Sequence, residues 1–183
     1  MNEILKHWDG SKDEYSNREA TTLVGWQELF PMLQGYNKIL DIGCGIGNVV
    51  AHLNSIGFDA TGITYQPQEV QTAKNLGRET IIQADMHVLP FEDNTFDLFM
   101  MWDSLEHAIA PLAALLEAKR VTKPGGRGCI FIPSQNWIEC PYHIIVPTSR
   151  QMAHLLSLAG LELEEVISYW GNEQAIYRIK VNK

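Results

Sequence analysis

The chain is predicted to fold as an α/β protein, with a seven-stranded, mostly parallel sheet between helices and a C-terminal antiparallel hairpin. Three observations predict this. A short apolar run from Lys38 ends on the carboxylate Asp41, and glycines follow at 43, 45 and 47. Runs of strand length then alternate with segments of helical periodicity. Finally, Phe96 to Met101 is almost wholly apolar, as suits a strand covered on both faces.

Taken in order, Thr21 to Leu33 reads as a helix, because Leu23, Trp26, Leu29, Phe30 and Leu33 recur at helical spacing. Pro31 restricts its end. It closes an arm, residues 1–33, whose Trp8 and Tyr15 either anchor on the domain or close over a ligand. The strand ending at Asp41 turns through the glycines into a helix, Val49 to Ile56, which Gly57 stops. Phe58 to Ile63 is the second strand, Gln68 to Leu76 a helix, and Glu79 to Ala84 the third strand, with Asp85 at its end. After Phe96 to Met101 come a helix, Pro111 to Val121, a turn at Pro124-Gly125-Gly126, and a fifth strand, Gly128 to Ile132. Arg150 to Leu158 is a helix stopped by Gly160. Leu161 to Tyr169 and Gln174 to Val181 are strands joined at Gly171-Asn172, a hairpin-type turn. Strands and helices so ordered wind a Rossmann-like sheet with helices on both faces.

Composition narrows the function. At 183 residues, 45% of them hydrophobic, the chain reads as a single domain, 1–183, with its core in 38–183. A net charge of −8 leaves no overall basic footprint for nucleic acid or an anionic membrane. No apolar run reaches the roughly 20 residues of a membrane span. Met1 to Lys12 lacks the apolar middle of a signal peptide. Cys44, Cys129 and Cys140 make neither a disulfide framework nor a zinc spacing. The expectation is a soluble, cytoplasmic protein.

The glycine turn carries the chemistry. Glycine lets the backbone take tight, positive-φ geometry and lets a ligand approach with no Cβ in the way. Backbone N–H groups at a helix start suit an anion and Asp41 suits an ammonium, so an amino-acid moiety fits both. A nicotinamide cofactor would want G-x-G-x-x-G and an acid about 20 residues on. Here the glycines read G-x-G-x-G and that position falls near Thr64, which leaves Thr64, Gln66 and Glu69 for a ribose diol. In open α/β sheets ligands bind at the carboxyl ends of the strands. Asp85, Met86, Trp102 and Asp103 stand at two more of them. Asp85 can accept from an exocyclic amine and the Met86 N–H can donate to a ring nitrogen, which together recognise adenine. Alternatively, Asp85 is an N-cap or closes an Asx-turn.

From about Lys38 onward the chain resembles the class I S-adenosylmethionine-dependent methyltransferases, in particular the type 11 methyltransferase domain. Asp41-Ile42-Gly43-Cys44-Gly45-Ile46-Gly47 is similar to the family's first motif. Asp85 to Asp97 is similar to its D-x-x-x-L-P-F-x-D-x-x-F-D block. Leu105-Glu106-His107, and Arg120 to Gly126, resemble its L-E-H and R-x-L-K-P-G-G segments. The resemblance implies S-adenosyl-L-methionine as cofactor, S-adenosyl-L-homocysteine as product, and methyl transfer to a small-molecule acceptor. It places Asp41, Gly43, Cys44, Gly45 and Gly47 beside the methionine part, Asp85 and Met86 on adenine, and Trp102 next to the transferable methyl. The family usually sets an acid on the ribose hydroxyls. Gly62-Ile63-Thr64 instead resembles the G-L-T of cyclopropane-synthase-like relatives, where a threonine serves.

Two histidines follow the strand ends. His107 can act as a general base on the acceptor or as a structural hydrogen-bonding group. His143 lies in the connection where this family builds substrate contacts. Cys140, Tyr142 and His143 lack a further ligand nearby, so no metal is expected. Two other readings compete: a cofactor-binding, non-catalytic partner subunit, which the short chain favours, and a nucleotide-dependent oxidoreductase. A homodimer is compatible with either methyltransferase reading. Neither the acceptor, nor whether oxygen, nitrogen or carbon is methylated, is legible.

Overall fold

A computed structural model of the chain describes residues 26–133, 140–169 and 174–183. The arm's Trp8 and Tyr15, the first part of the predicted helix from Thr21, and the Gly171-Asn172 turn lie outside the described residues. Seven strands form one sheet in the order β3-β2-β1-β4-β5-β7-β6. They are β1 (Lys38–Ile42), β2 (Asp59–Thr64), β3 (Ile81–Gln83), β4 (Phe96–Trp102), β5 (Thr122–Ile132), β6 (Glu162–Tyr169) and β7 (Gln174–Lys180). The pairs from β3 through β5 are all parallel, while β7 runs antiparallel to both β5 and β6. The helices are α1 (Trp26–Met32), α2 (Asn48–Ser55), α3 (Pro67–Asn75), α4 (Pro111–Val121) and α5 (Ser149–Leu158).

Both faces of the sheet are covered, as the apolar strands require. Ile39, Leu40 and Ile42 of β1 and Leu98 to Met101 of β4 are fully buried. One face packs under α1, α2 and α3, with Leu29, Leu33, Val50, Leu53 and Ala73 against Ile39, Leu98 and Met100. The other packs under α4 and α5, with Leu115, Ala118, Met152 and Leu156 against Leu40, Phe99 and Ile130. The chain winds outward from β1 through β2 to β3, then returns to place β4 on the other side of β1. Connections leaving β1 and β4 therefore diverge and open a crevice at the carboxyl ends of these strands.

The predicted turn at Pro124-Gly125-Gly126 is corrected. It lies inside β5 as a wide bulge, since Phe96 pairs with Thr122 but Leu98 pairs with Arg127. The chain end takes up its hydrogen bonds: Gly125 N–H donates to Val181 C=O at 2.8 Å, and Val181 N–H to Gly126 C=O at 2.9 Å. Gly125 holds φ at +76° there, a conformation glycine adopts without Cβ strain. Within the described residues the other predicted elements are present with ends shifted by one or two residues, while β5 begins six residues earlier than predicted because it takes in this turn.

Two motif residues are structural. The Asp97 carboxylate accepts from Lys38 N–H (2.8 Å), Asn37 N–H (3.1 Å) and Lys123 Nζ (2.6 Å), which ties the start of β1 to β4 and β5. These donors hold its pKa below the usual carboxylate value against the opposing effect of burial. The Arg120 guanidinium donates to both Glu117 oxygens, to Asp93, and to the Leu89 and Phe91 carbonyls. It thereby fastens the loop before β4 onto α4. Glu117 also accepts from Leu89 N–H. Arg120→Ala strands these acceptors and should destabilise the fold by about 2–3 kcal/mol, read by denaturant unfolding. A lysine at this position, lacking the fork, should recover less than half of that.

Candidate active site

Asp41 ends in the crevice at the carboxyl end of β1. It is 3% exposed, and among the described residues its Oδ1 has no hydrogen-bond partner. Burial pushes its pKa up to about 7. An orphaned carboxylate oxygen of this kind is costly unless a proton or a cation meets it.

The turn beyond it is left-handed at all three glycines, with φ of +87°, +55° and +79° at Gly43, Gly45 and Gly47. A Cβ on Gly43 would lie 2.4 Å from Ser104 Cβ, and one on Gly47 would lie 2.5 Å from Ile81. The turn is thus packed between the loop after β4 and the start of β3. Ser104 Oγ donates to Ile42 C=O at 2.7 Å and fixes that neighbour. The expectation of bare N–H groups needs correction. Gly43 and Cys44 N–H both donate to Ile63 C=O, and Gly47 N–H donates to Cys44 C=O. These donors hold the turn's shape. The start of α2 follows with no side-chain cap, and the positive end of a helix favours an anion. Cys44 is a neutral thiol: burial, then the negative Asp41 and Glu69, raise its pKa well above the ordinary value.

Thr64 does not stand alone at the end of β2. Its hydroxyl donates to the carboxylate of Glu69, which is 1% exposed on the first turn of α3. Gln66 N–H reaches back to Thr64 Oγ at 3.4 Å. A buried carboxylate, five residues later in sequence, is therefore held at the end of β2 through the threonine.

Asp85 closes an Asx-turn, its Oδ1 accepting from His87 N–H at 2.9 Å and lying 2.6 Å from His87 Nδ1. His87 Nε2 in turn accepts from Ala110 N–H at 3.2 Å, so Nδ1 carries the proton and donates to Asp85. Sequence reasoning missed His87. Both contacts fall on Oδ1 of a half-exposed carboxylate, so the turn does not by itself exclude a contact with a ligand. Met86 is half-buried beside the core.

At the end of β4, Trp102 is 9% exposed and stacks on Phe131, centroids 4.9 Å apart and planes within 6°. The expected free aromatic surface is thus partly spent on packing. Asp103 follows with φ of +45°, unusual for a residue bearing a Cβ, and burial pushes its pKa up to about 7. Glu106, in the 3-10 helix Leu105–His107, is 1% exposed. Burial, then Asp103, push its pKa well up. His107 Nδ1 donates to Tyr142 C=O at 2.9 Å. Burial lowers its pKa against that hydrogen bond, so a neutral imidazole is the form at pH 7. The fold also brings His143 to His107, ring centroids 5.1 Å apart. The crevice therefore gathers Asp41, the glycine turn, Thr64, Trp102 and Ser104. His107 with His143 forms a separate cluster around Glu106.

Among the described residues, no helix is long and apolar enough to cross a membrane. Residues 40–130 match the sequence profile of a family described as a methyltransferase domain. The chain is 37% identical over 99 residues to the sterol 4-C-methyltransferase strm-1 of Caenorhabditis elegans, covering 50% of this chain and 30% of that protein. It is 30% identical over 125 residues to a ubiquinone biosynthesis O-methyltransferase of Xanthomonas oryzae pv. oryzae, covering 65% and 52%. The chain thus spans about half, or less, of the curated relatives it matches. A crystal structure of an S-adenosylmethionine-dependent methyltransferase from Aquifex aeolicus superposes with a TM-score of 0.75 at 22% identity, covering 95% of this chain and 99% of that one.

Proposed function

Since the chain carries a class I S-adenosylmethionine-dependent methyltransferase domain, we propose that it is an enzyme that methylates a small-molecule acceptor by in-line transfer. The observation that carries the cofactor side of this reading is Asp41. A buried carboxylate oxygen without a partner, next to three left-handed glycines, of which Gly43 and Gly47 leave no room for a Cβ, fits the ammonium of the cofactor's methionine part. S-adenosylmethionine, when bound, supplies a methyl group already made electrophilic by its sulfonium. The chain's own task is then to bind, orient and exclude water.

Each residue has a part in that task. Asp41 pairs with the ammonium, and the start of α2 faces the carboxylate. Thr64 with Glu69 accepts from the ribose hydroxyls, and Asp85 and Met86 flank adenine. Trp102, held by Phe131, makes a rigid wall beside the methyl whose π-face favours a sulfonium. His107, neutral and anchored through Nδ1, is the candidate base if the acceptor must lose a proton.

Calorimetry with S-adenosylmethionine, S-adenosylhomocysteine and NAD tests the cofactor. Tighter binding of NAD than of either would overturn the reading. Methyl transfer screened over hydroxyl, amine and activated-carbon acceptors tests the reaction, and cofactor binding without turnover on any would favour a partner-subunit role. Once an acceptor is known, Trp102→Ala should cost more turnover than His107→Ala. A loss of about two decades in His107→Ala with cofactor affinity intact would instead assign general base catalysis.

A further inference from the structure

Sequence order separates Leu105-Glu106-His107 from His143, so the donors Cys140, Tyr142 and His143 alone make a poor metal site. Folding changes the set. A carboxylate oxygen of Glu106 and one ring nitrogen each of His107 and His143 lie within 4.8 Å of one another. We propose that these three residues bind a divalent transition-metal ion of the zinc class, at the edge of the crevice where β4 runs into the 3-10 helix.

Four observations support the site. Two imidazoles and a carboxylate are the donor set of an open three-ligand zinc or iron(II) centre. Glu106 is 1% exposed and, among the described residues, neither of its carboxylate oxygens has a hydrogen-bond partner. A buried anion so placed needs a cation or a proton. His107 Nδ1 sits 2.9 Å from Tyr142 C=O. A carbonyl can only accept, so the proton is on Nδ1 and the lone pair on Nε2. Metal-binding histidines are commonly oriented by such a backbone acceptor. Lastly, the two ligand-bearing segments are also joined through the backbone. Ile144 and Ile145 N–H donate to Glu106 C=O at 2.8 and 3.2 Å, and His143 N–H donates to Cys140 C=O at 3.0 Å. Main-chain bonds thus help to hold the two segments at the site.

Ligand atoms around a tetrahedral zinc ion lie about 3.3 Å apart. The spread must close by side-chain rotation, with the backbone pins left in place. A further coordination position would be open to water, an acceptor oxygen or the half-buried Cys140. The site stands whether or not the domain transfers methyl groups, and with the metal bound His107 Nε2 is a ligand and cannot also be the base.

Chelator-stripped protein, titrated with Co²⁺ alone and followed by its visible absorption, reads the site directly. One equivalent should bind with low-coordinate d–d bands and be displaced by one equivalent of Zn²⁺. Glu106→Gln, which keeps the side-chain shape, and His143→Ala should each weaken binding at least a hundredfold. The exposed His154, changed to Ala, should leave it unaltered. Circular dichroism accompanies each variant, and either ligand variant that remains folded decides the matter. Wild-type affinity no higher than that of His143→Ala, or an unchanged titration in Glu106→Gln, would overturn the proposal and assign Glu106 a buried proton instead.

Discussion

Asparagine in place of Asp41 will make the unliganded protein more stable and its hold on S-adenosylmethionine weaker. The two effects share one cause. Burial lifts the Asp41 pKa from 3.8 to about 7, so between these values the native state keeps a proton that the unfolded chain has released. The proton-linked stability is fully present below about pH 4, falls as pH rises, and is lost above pH 7. By pH 8 the loss is of the order of 2–4 kcal/mol. The neutral amide of Asp41→Asn carries no such slope, so the variant's advantage should grow from near zero at about pH 3.5 to that figure at pH 8 in urea unfolding. Affinity moves the other way. An ammonium opposite Asp41 favours the carboxylate, so binding below pH 7 must release its proton. Wild-type affinity should climb by up to tenfold per unit from pH 5 to 7 and then level off. Asp41→Asn should lose about one to two decades at pH 8 together with the slope. A wild-type affinity flat from pH 5 to 8 would remove Asp41 from the ammonium.

Most of the sheet was legible because periodicity reports burial. The apolar run of β4 and the carboxylate-ended β1 each announce a strand covered on both faces, and the α/β alternation gives their parallel pairing. The bulge in β5 was not legible. Pro124-Gly125-Gly126 spells a turn locally, and only pairing with Val181 at the far end of the chain absorbs it into the strand. Long-range pairing overrides local turn chemistry there.

The site divides along the same line. Glycine spacing and strand ends pointed to Asp41, the turn, Asp85 and Trp102, since each is fixed by where its own element stops. Glu69 joins Thr64 because the first turn of α3 folds back over the end of β2. Residue pairs at that spacing are common, so the contact carried no signal until the helix start was placed. His87 had a local signal, two residues beyond an aspartate in an Asx-turn pattern, yet its second anchor is Ala110 N–H, distant in sequence. His143 had none. Its approach to Glu106 depends on two backbone hydrogen bonds across the connection after β5. Specific motif residues also proved structural: Arg120, Asp93 and Asp97 knit loops to α4 and β1, well suited to holding a site and not to reacting in it.

Gly43→Ala tests whether the turn is held as tightly as its packing implies, and the variant should bind no S-adenosylmethionine at concentrations that saturate the wild type. Two separable costs fall on it. The backbone holds φ at +87°, where a Cβ costs about 1–2 kcal/mol. The new Cβ would also lie 2.4 Å from Ser104 Cβ, so either the turn or the loop after β4 must move. The whole penalty should reach about 3–5 kcal/mol in urea unfolding. Ser104→Gly removes the obstructing carbon along with the hydrogen bond to Ile42 C=O, and alone should cost about 1–2 kcal/mol. In the double variant the clash is gone and only the φ strain and the lost hydrogen bond remain. It should therefore be more stable than Gly43→Ala, a favourable coupling of about 1–3 kcal/mol. Costs that simply add in the double variant would mean the loop does not brace the turn. The crevice would then owe its shape to the Gly43 and Cys44 hydrogen bonds to Ile63 C=O alone.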